Sequence, residues 1–188
     1  HKDAGQMLID GMGPSFEKLF YPHDFHPEKV IRGSELTIEK LRERKKMGIP
    51  LPWPKLQSKL QGLRKGEITL ITGGSGLGKT QVVRELGFHL VDKHNQVVAN
   101  IMLETPMLDV ARSYIAMDNN VPPYKLIFNP KMISEEDYQK SFDKLLATDK
   151  LLFLEHWGSL DSEVLLRKMK YFVLAMKADW IILDHASI

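Results

Sequence analysis

The chain has 188 residues, of which 43% are apolar and 27% charged, a balance that excludes a chain disordered throughout. It carries 26 basic and 24 acidic residues, so the net charge of +2 neither announces nor excludes a nucleic-acid-binding protein. The absence of cysteine excludes a disulfide scaffold, a cysteine-ligated zinc site and a thiol nucleophile. No apolar run approaches the roughly 20 residues of a membrane span, and no signal segment opens the chain.

The N-terminal part is predicted to be an arm that precedes the main domain. Glycines and prolines interrupt residues 1–33, which are expected to be irregular. Residues 34–47 are predicted to form a helix with Ser34 as its N-cap and Gly48 at its end. Its apolar side chains form a patch, and its basic run 40–46 either contacts nucleic acid or is a solvated helix face. The proline-rich residues 50–54 predict an extended connector.

Beyond Gly66 the pattern alternates between strands and helices, which predicts an α/β fold with a parallel sheet covered on both faces. The apolar runs predict strands at residues 67–72, 96–103, 151–155 and Trp180–Asp184. Helical spacing of apolar residues predicts helices at Lys79–His94, after a Thr105 cap with Pro106 in the first turn, at residues 134–147 and at residues 160–178. The third of these helices begins with Ser134 and Asp137, a variant of the capping box.

A glycine-rich segment lies between the first predicted strand and the first helix of this domain. Residues 73–80 read GGSGLGKT and fit the phosphate-loop pattern G-x-x-x-x-G-K-[ST] at every fixed position. Glycines allow successive N–H groups to point at phosphate oxygens, and the helix N-terminus adds its positive dipole end. Lys79 is predicted to reach the β- and γ-phosphates and Thr80 to hold Mg²⁺. The alternative is an ordinary glycine-rich turn.

Two carboxylates follow predicted strands of the same sheet. Asp184 ends the apolar strand Trp180–Asp184, where a phosphate-loop enzyme places the aspartate on the metal side. Glu104 follows strand 96–103, and a glutamate there can orient and deprotonate the water that attacks the γ-phosphate. An ordinary loop acid is the alternative for Glu104. His185, next to Asp184, is either a sensor of the γ-phosphate or a structural histidine.

These motifs occur in an order that resembles a known family. The block W-x-x-L-x-x-x-L-x-G-L-R-x-G-E at residues 53–67, the phosphate loop, Met102-Leu-Glu104 and Ile182-Leu-Asp184-His185 resemble the RecA-like core of hexameric replicative DNA helicases. The ending IILDHASI is most similar to the primase-helicases of T-odd phages, which have a mitochondrial relative, Twinkle. The resemblance covers roughly residues 34–188 and implies a RecA-like phosphate-loop NTPase.

The resemblance implies an ATP-dependent helicase that translocates on single-stranded DNA as a hexameric ring and unwinds duplex at a replication fork. It implies Mg²⁺ and ATP, or another nucleoside triphosphate, as cofactors, and Glu104 and Lys79 as catalytic residues. Thr80 and Asp184 would hold the metal. The nucleotide would contact the residues of the phosphate loop and the one that follows it, which are Gly73, Gly74, Ser75, Gly76, Leu77, Gly78, Lys79, Thr80 and Gln81.

The resemblance also implies a domain organisation and partners. Residues 1–33 would be the tail of a preceding primase domain, residues 34–54 a linker helix with a proline-rich connector, and residues 55–188 the ATPase core. The linker helix, at residues 34–47, would pack on the adjacent subunit. A primase and a DNA polymerase are the implied protein partners, in a host cytoplasm or a mitochondrial matrix and without a membrane. Because the chain opens at His1 and stops four residues after Asp184, it is expected to be a piece of a longer protein.

Two other functions fit the same motifs. A recombinase or clock-type RecA-like ATPase assembles without unwinding and shares the G-L-R-x-G-E block at residues 62–67. A nucleotide-binding fragment without turnover is the non-enzymatic alternative, because the family's DNA-binding loops and arginine finger lie beyond the Asp184 strand. The linker helix and the residues that follow Asp184 favour the helicase.

Overall fold

The computed structural model describes residues 31–156 and 161–184. The chain divides into two compact units, residues 1–46 and 47–188. In the first unit, a 3₁₀ turn at Gly33–Glu35 precedes helix α1 (Ile38–Arg42). The second unit contains, in chain order, α2 (Pro54–Leu60), α3 (Lys79–His94), β1 (Val98–Met102), α4 (Met107–Asp118), α5 (Pro123–Phe128), a 3₁₀ turn (Pro130–Met132), α6 (Glu135–Leu145), β2 (Leu151–Leu154), α7 (Ser162–Leu174) and β3 (Trp180–Asp184).

The described strands form one parallel sheet in the order β2-β1-β3. Val98, at the start of β1, lies opposite Leu151 of β2 and Trp180 of β3. At the other end, Met102 lies opposite Asp184. All five residues of β1 are buried, since this strand has a neighbour on each side and helices above and below.

Helices cover both faces of the sheet, as the sequence predicts. On one face, Leu90 of α3 and Tyr114 of α4 belong to the same apolar cluster as Val98. On the other face, Phe172 of α7 belongs to the same cluster as Ala99. Neighbouring strand residues therefore point to opposite layers, and each fully buried large apolar side chain contributes roughly 1.5–3 kcal/mol.

Several predicted elements are confirmed. Helix Lys79–His94 and strand Trp180–Asp184 have the predicted bounds, and β1, β2 and α6 lie within their predicted ranges. Ser134 caps α6 as expected, because its hydroxyl accepts from the Asp137 N–H at 3.1 Å and donates to the Asp137 carboxylate at 2.6 Å. Helix α7 is shorter than residues 160–178, since the Asp161 side chain caps its start and the helix ends at Leu174.

The predicted buried strand at residues 67–72 is wrong. These residues form no strand, and Ile68 and Leu70 are 97% and 82% exposed. A strand is held by hydrogen bonds to a neighbouring strand, and among the described residues β2 and β3 each pair with β1 alone. The segment is apolar enough to form a strand, but its own sequence does not encode the neighbouring strand with which it would have to pair.

The predicted arm helix at residues 34–47 is also wrong in its bounds. Thr37, not Ser34, caps α1, and its side chain accepts from the Lys40 N–H. Glu43 is extended, so the helix has only five residues. The predicted patch remains on the surface, since Leu36, Ile38 and Leu41 are all exposed. A helix of this length is marginal without a partner surface.

Gly48 allows two backbone segments to approach closely instead of ending a helix. A Cβ at Gly48 would lie 2.4 Å from the Leu63 carbonyl oxygen. Ile49 and Leu63 form an antiparallel bridge there, with N–O distances of 2.7 and 2.8 Å. Leu51 is buried and Trp53 is partly buried against the same core. The predicted connector at 50–54 thus packs within the second unit, and its last residue already begins α2.

Candidate functional site

The carboxyl ends of the three strands define one edge of the sheet, and α3 begins at that edge. Because the strands are parallel, Met102, Leu154 and Asp184 all lie at the same edge. Only three residues separate the end of helix α3 at His94 from the start of β1, which begins at the opposite edge. The N-terminus of α3, with the predicted phosphate loop before it, therefore lies at the carboxyl edge, where α/β proteins bind ligands.

The predicted phosphate loop has the backbone that its glycines allow. Gly76 and Gly78 have φ values of +75° and +85°, a conformation that residues with a Cβ rarely adopt. A Cβ at either position would meet nothing within 4 Å, so open space borders the loop at both glycines. Gly78 is the N-cap of α3, and no side chain caps the helix. The first N–H groups of α3 are thus available to an anion.

Lys79 turns back over this loop. Its Nζ donates to the carbonyl oxygens of Gly73 and Gly74, each at 2.9 Å. Thr80 follows it in the first turn of α3 and is half-buried. The ammonium group therefore lies beside the glycine-rich loop, close to the N-terminus of α3. This fits a triphosphate, because phosphate oxygens would replace carbonyl oxygens as acceptors for Lys79.

Glu104 and Asp184 lie at neighbouring strand ends, as predicted. Asp184 is paired with Met102, and the Leu103 N–H donates to the Asp184 carbonyl at 2.8 Å. Glu104 comes two residues after Met102 in the bend that joins β1 to α4, and its side chain is exposed. The structure thus brings both carboxylates to the edge where α3 begins.

The predicted Thr105 cap is wrong by one residue. Pro106 is the N-cap of α4, and its carbonyl accepts from Asp109 and Val110 at 3.0 and 3.1 Å. The Thr105 hydroxyl instead accepts from Arg84 at 3.1 Å. The bend that carries Glu104 is therefore bonded to α3, the helix that follows the phosphate loop.

Arg84 is a polar residue of this region that the sequence analysis did not single out. It is 9% exposed, and its Nε has no hydrogen-bond partner within the described residues. Burial lowers the pKa of its guanidinium, while Asp184, Tyr114 and Asp109 act in the opposite direction. The feature of the sequence that could have identified Arg84 is its spacing from Thr80. It lies four residues after Thr80, so both residues are on one side of α3.

A buried polar pair lies beneath this edge. The Tyr114 hydroxyl donates to the Asn100 side-chain oxygen at 2.7 Å, and Asn100 donates to the Leu152 carbonyl of β2 at 3.3 Å. Tyr114 and Asn100 are almost completely buried, and burial raises the pKa of the Tyr114 phenol. The pair connects α4 to the sheet, which fixes where α4 and the bend before it lie.

The residues present fit a magnesium nucleotide better than a metal held by protein ligands alone. Within residues 31–156 and 161–184, no group of three or more histidine or acidic side chains is close enough to hold a metal ion. Mg²⁺ usually takes one or two protein oxygens and completes its shell with water and phosphate. Thr80 and Asp184 are the predicted protein oxygens, whereas His185 lies outside the described residues.

Comparison with known proteins identifies the family. Residues 48–188 match the family described as the DnaB-like helicase C terminal domain. The chain is also 28% identical over 193 residues to the DNA helicase/primase of Enterobacteria phage T3, covering 100% of this chain and 34% of that protein. The chain belongs to the DnaB-like helicase family and has the RecA-like α/β fold. It spans about a third of the length of the phage relative.

The family confirms the resemblance that the motifs indicated, including the likeness to a T-odd phage protein. The more specific likeness to mitochondrial Twinkle stays a prediction. No helix of the described residues is long and apolar enough to cross a membrane.

Proposed function

We propose that this chain binds a nucleoside triphosphate with Mg²⁺ and is the N-terminal half of the motor core of a replicative DNA helicase. The observation that carries the proposal is the loop before α3. It combines left-handed glycines at 76 and 78, an uncapped helix N-terminus and the Lys79 ammonium. These are the groups that a triphosphate needs, and residues 73–81 are proposed to contact it.

The proposed roles follow from the positions of the side chains. Lys79 neutralises the β- and γ-phosphates, and the hydroxyl of Thr80 and the carboxylate of Asp184 hold the magnesium ion. When bound, Mg²⁺ supplies a charge that stabilises the negative phosphate oxygens of the transition state. Asp184 is half-buried at the end of β3, so its position is set by the strand.

Glu104 is proposed as the general base. It orients the attacking water and accepts its proton as the water's oxygen bonds to the γ-phosphorus and the bridging oxygen leaves with the diphosphate. Its place in a bend, two residues beyond the last residue of β1, gives the carboxylate access to solvent. Thr105, the residue after Glu104, is held to α3 by the hydrogen bond that its hydroxyl accepts from Arg84.

Assembly and DNA binding are proposed from the family and the arm. The apolar patch of Leu36, Ile38 and Leu41 is exposed, and its residues Ile38 and Leu41 lie on a helix of five residues. In a homo-oligomer the surface that covers such a patch is a neighbouring subunit, which favours a hexameric ring through residues 34–47. Translocation on single-stranded DNA, a linked primase whose tail would be residues 1–33, and a polymerase partner belong to the same proposal.

A RecA-like recombinase or clock-type ATPase is the alternative with the same nucleotide chemistry. The family match over residues 48–188 and the phage helicase/primase both favour the helicase. DNA unwinding separates the two functions, because only the helicase is expected to displace a strand from a forked duplex.

The first test is nucleotide binding by Lys79→Ala. We expect this change to abolish binding of a fluorescent ATP analogue in the presence of Mg²⁺ and to leave the circular dichroism unchanged, because Lys79 bonds only loop carbonyls in its described contacts. Lys93→Ala on the same helix is the matched control, since that side chain is exposed and pairs with Asp92. Equal affinity of wild type and Lys79→Ala for the analogue would contradict the proposed site.

A further inference from the structure

Arg84 is a buried cation of the site, and groups on three other elements interact with it. It projects from α3, five residues after Lys79, and donates to the Thr105 hydroxyl in the bend after β1. Asp184 at the end of β3 acts on its charge, as do Tyr114 and Asp109 of α4. From the phosphate-loop helix, the Arg84 side chain thus donates a hydrogen bond to the Glu104 bend and interacts electrostatically with the carboxylate at the end of the metal-side strand.

The burial of the Arg84 guanidinium at this position requires an explanation. Removing a charged group from water is costly unless hydrogen bonds and opposite charges compensate, and here Nε lacks a hydrogen-bond partner among the described residues. An apolar residue of similar length would avoid that cost. Stability alone therefore does not explain an arginine at this position.

The arginine provides a direct hydrogen bond between the helix that follows the phosphate loop and the bend that carries the proposed general base. The helix whose first turn carries Lys79 and Thr80 is bonded to the residue after Glu104 through one hydrogen bond of 3.1 Å. Arginine suits this role because its planar guanidinium stays charged and offers several donors in a fixed geometry. A lysine would offer a single ammonium at a different reach.

We propose that Arg84 is a positioning residue that holds the Glu104–Thr105 bend against the phosphate-loop helix, so that nucleotide bound at the loop fixes the general base in its productive position. This inference rests on the proposed function, because it assigns Arg84 and Thr105 to the regulation of the same site. Neither residue contacts the reacting atoms, and both act through Glu104.

The test uses a pair of threonine variants in the full-length protein. Thr105→Val has the same shape but no acceptor for Arg84, whereas Thr105→Ser keeps the hydroxyl. We expect Thr105→Val to lower kcat for ATP by about 10- to 100-fold, the worth of a hydrogen bond to a charged donor expressed as a rate. The dissociation constant of the ATP analogue is expected to stay within about twofold, and Thr105→Ser to restore kcat to within about threefold.

A second measurement does not depend on turnover. Amide hydrogen exchange across residues 103–107 is expected to be faster in Thr105→Val and in Arg84→Met than in wild type, because the bend loses its bond to α3. Thr148→Val is the matched control, since that half-buried hydroxyl bonds only the Leu145 carbonyl in its described contacts, at the end of α6.

The outcomes separate the two proposals. If Thr105→Val hydrolyses ATP and exchanges as the Thr148→Val control does, Arg84 does not position the bend, while the nucleotide site stands. Equal losses in Thr105→Val and Thr105→Ser would also overturn the inference, because the hydroxyl would then be irrelevant. If wild type neither binds nor hydrolyses ATP, the proposed function fails, and exchange at 103–107 still decides whether Arg84 holds the bend.

Discussion

Gly87 and Tyr114 are expected to depend on each other, because α3 approaches α4 most closely there. A Cβ placed on Gly87 would lie 2.3 Å from the Tyr114 hydroxyl oxygen, too close for any real pair of atoms. Gly87→Ala therefore pushes the hydroxyl away from Asn100, its acceptor at 2.7 Å. Leaving buried partners unpaired costs about 1–3 kcal/mol, and alanine returns about 1 kcal/mol of helix propensity. We expect a net loss of up to about 2 kcal/mol in the free energy of unfolding.

The same alanine is expected to behave differently when the hydroxyl is absent. In a Tyr114→Phe background the nearest atom to the new Cβ is the Ile182 Cδ1 at 2.9 Å, the flexible end of a side chain that can turn aside. Tyr114→Phe alone should cost about 1–3 kcal/mol, because the buried Asn100 oxygen loses its donor. Adding Gly87→Ala should then cost nothing further or recover part of the loss.

The measurement is a double-mutant cycle by urea denaturation, with the slope checked for constancy across the four proteins. Tyr171→Phe is the control for loss of a hydroxyl, since Tyr171 is exposed on α7 and should change stability by less than about 0.5 kcal/mol. If Gly87→Ala lowers the free energy of unfolding equally in both backgrounds, within about 0.5 kcal/mol, the effect of the alanine does not depend on its contact with the Tyr114 hydroxyl.

Three further predictions concern the base, the pH dependence and the arm. Glu104→Gln should keep nucleotide affinity and lower kcat by about 10²–10⁴-fold, since an amide cannot accept the proton; steady-state rates within a few-fold of wild type would exclude Glu104 as the base. Burial, and secondarily the charge of His89, lower the pKa of His94, so the folded protein resists protonation there. The free energy of unfolding should therefore be unaffected by His94 above about pH 6.5 and should fall as the pH decreases below that value. In His94→Gln, the denaturation midpoint should change less between pH 7.5 and 5 than it does in wild type. Replacing both Ile38 and Leu41 by glutamate should weaken ring formation by the full-length protein with ATP and Mg²⁺, as measured by light scattering. If rings are as abundant as in wild type, the arm does not contribute to assembly.

The features that the sequence determined are those made by neighbouring residues. Helix α3 has the predicted bounds because Gly78 at its start and Asn95 at its end both adopt the left-handed conformation, at φ values of 85° and 55°. The Ser134 cap and the glycine-rich loop are local in the same sense. Strand β3 was predictable because its apolar run is short, is rich in isoleucine and ends in a carboxylate.

The candidate site was predictable for the residues that belong to motifs. Lys79, Thr80, Glu104 and Asp184 were assigned from their places in strand and loop patterns, and the structure brings these patterns to one edge of the sheet. Arg84 was not, because its importance depends on Thr105, 21 residues away, and on the fold that buries it.

Which apolar segments are buried depends on the packing of the whole domain. Residues 67–72 and β3 have similar apolar sequences, yet the first is exposed and the second lies beside β1, because a strand is stabilised by a neighbour that its own sequence does not encode. The arm is a second example, since residues 34–47 have helical spacing but only Ile38–Arg42 is α-helical. Without a surface to bury their apolar side chains, the other residues gain too little to offset the entropy of ordering them.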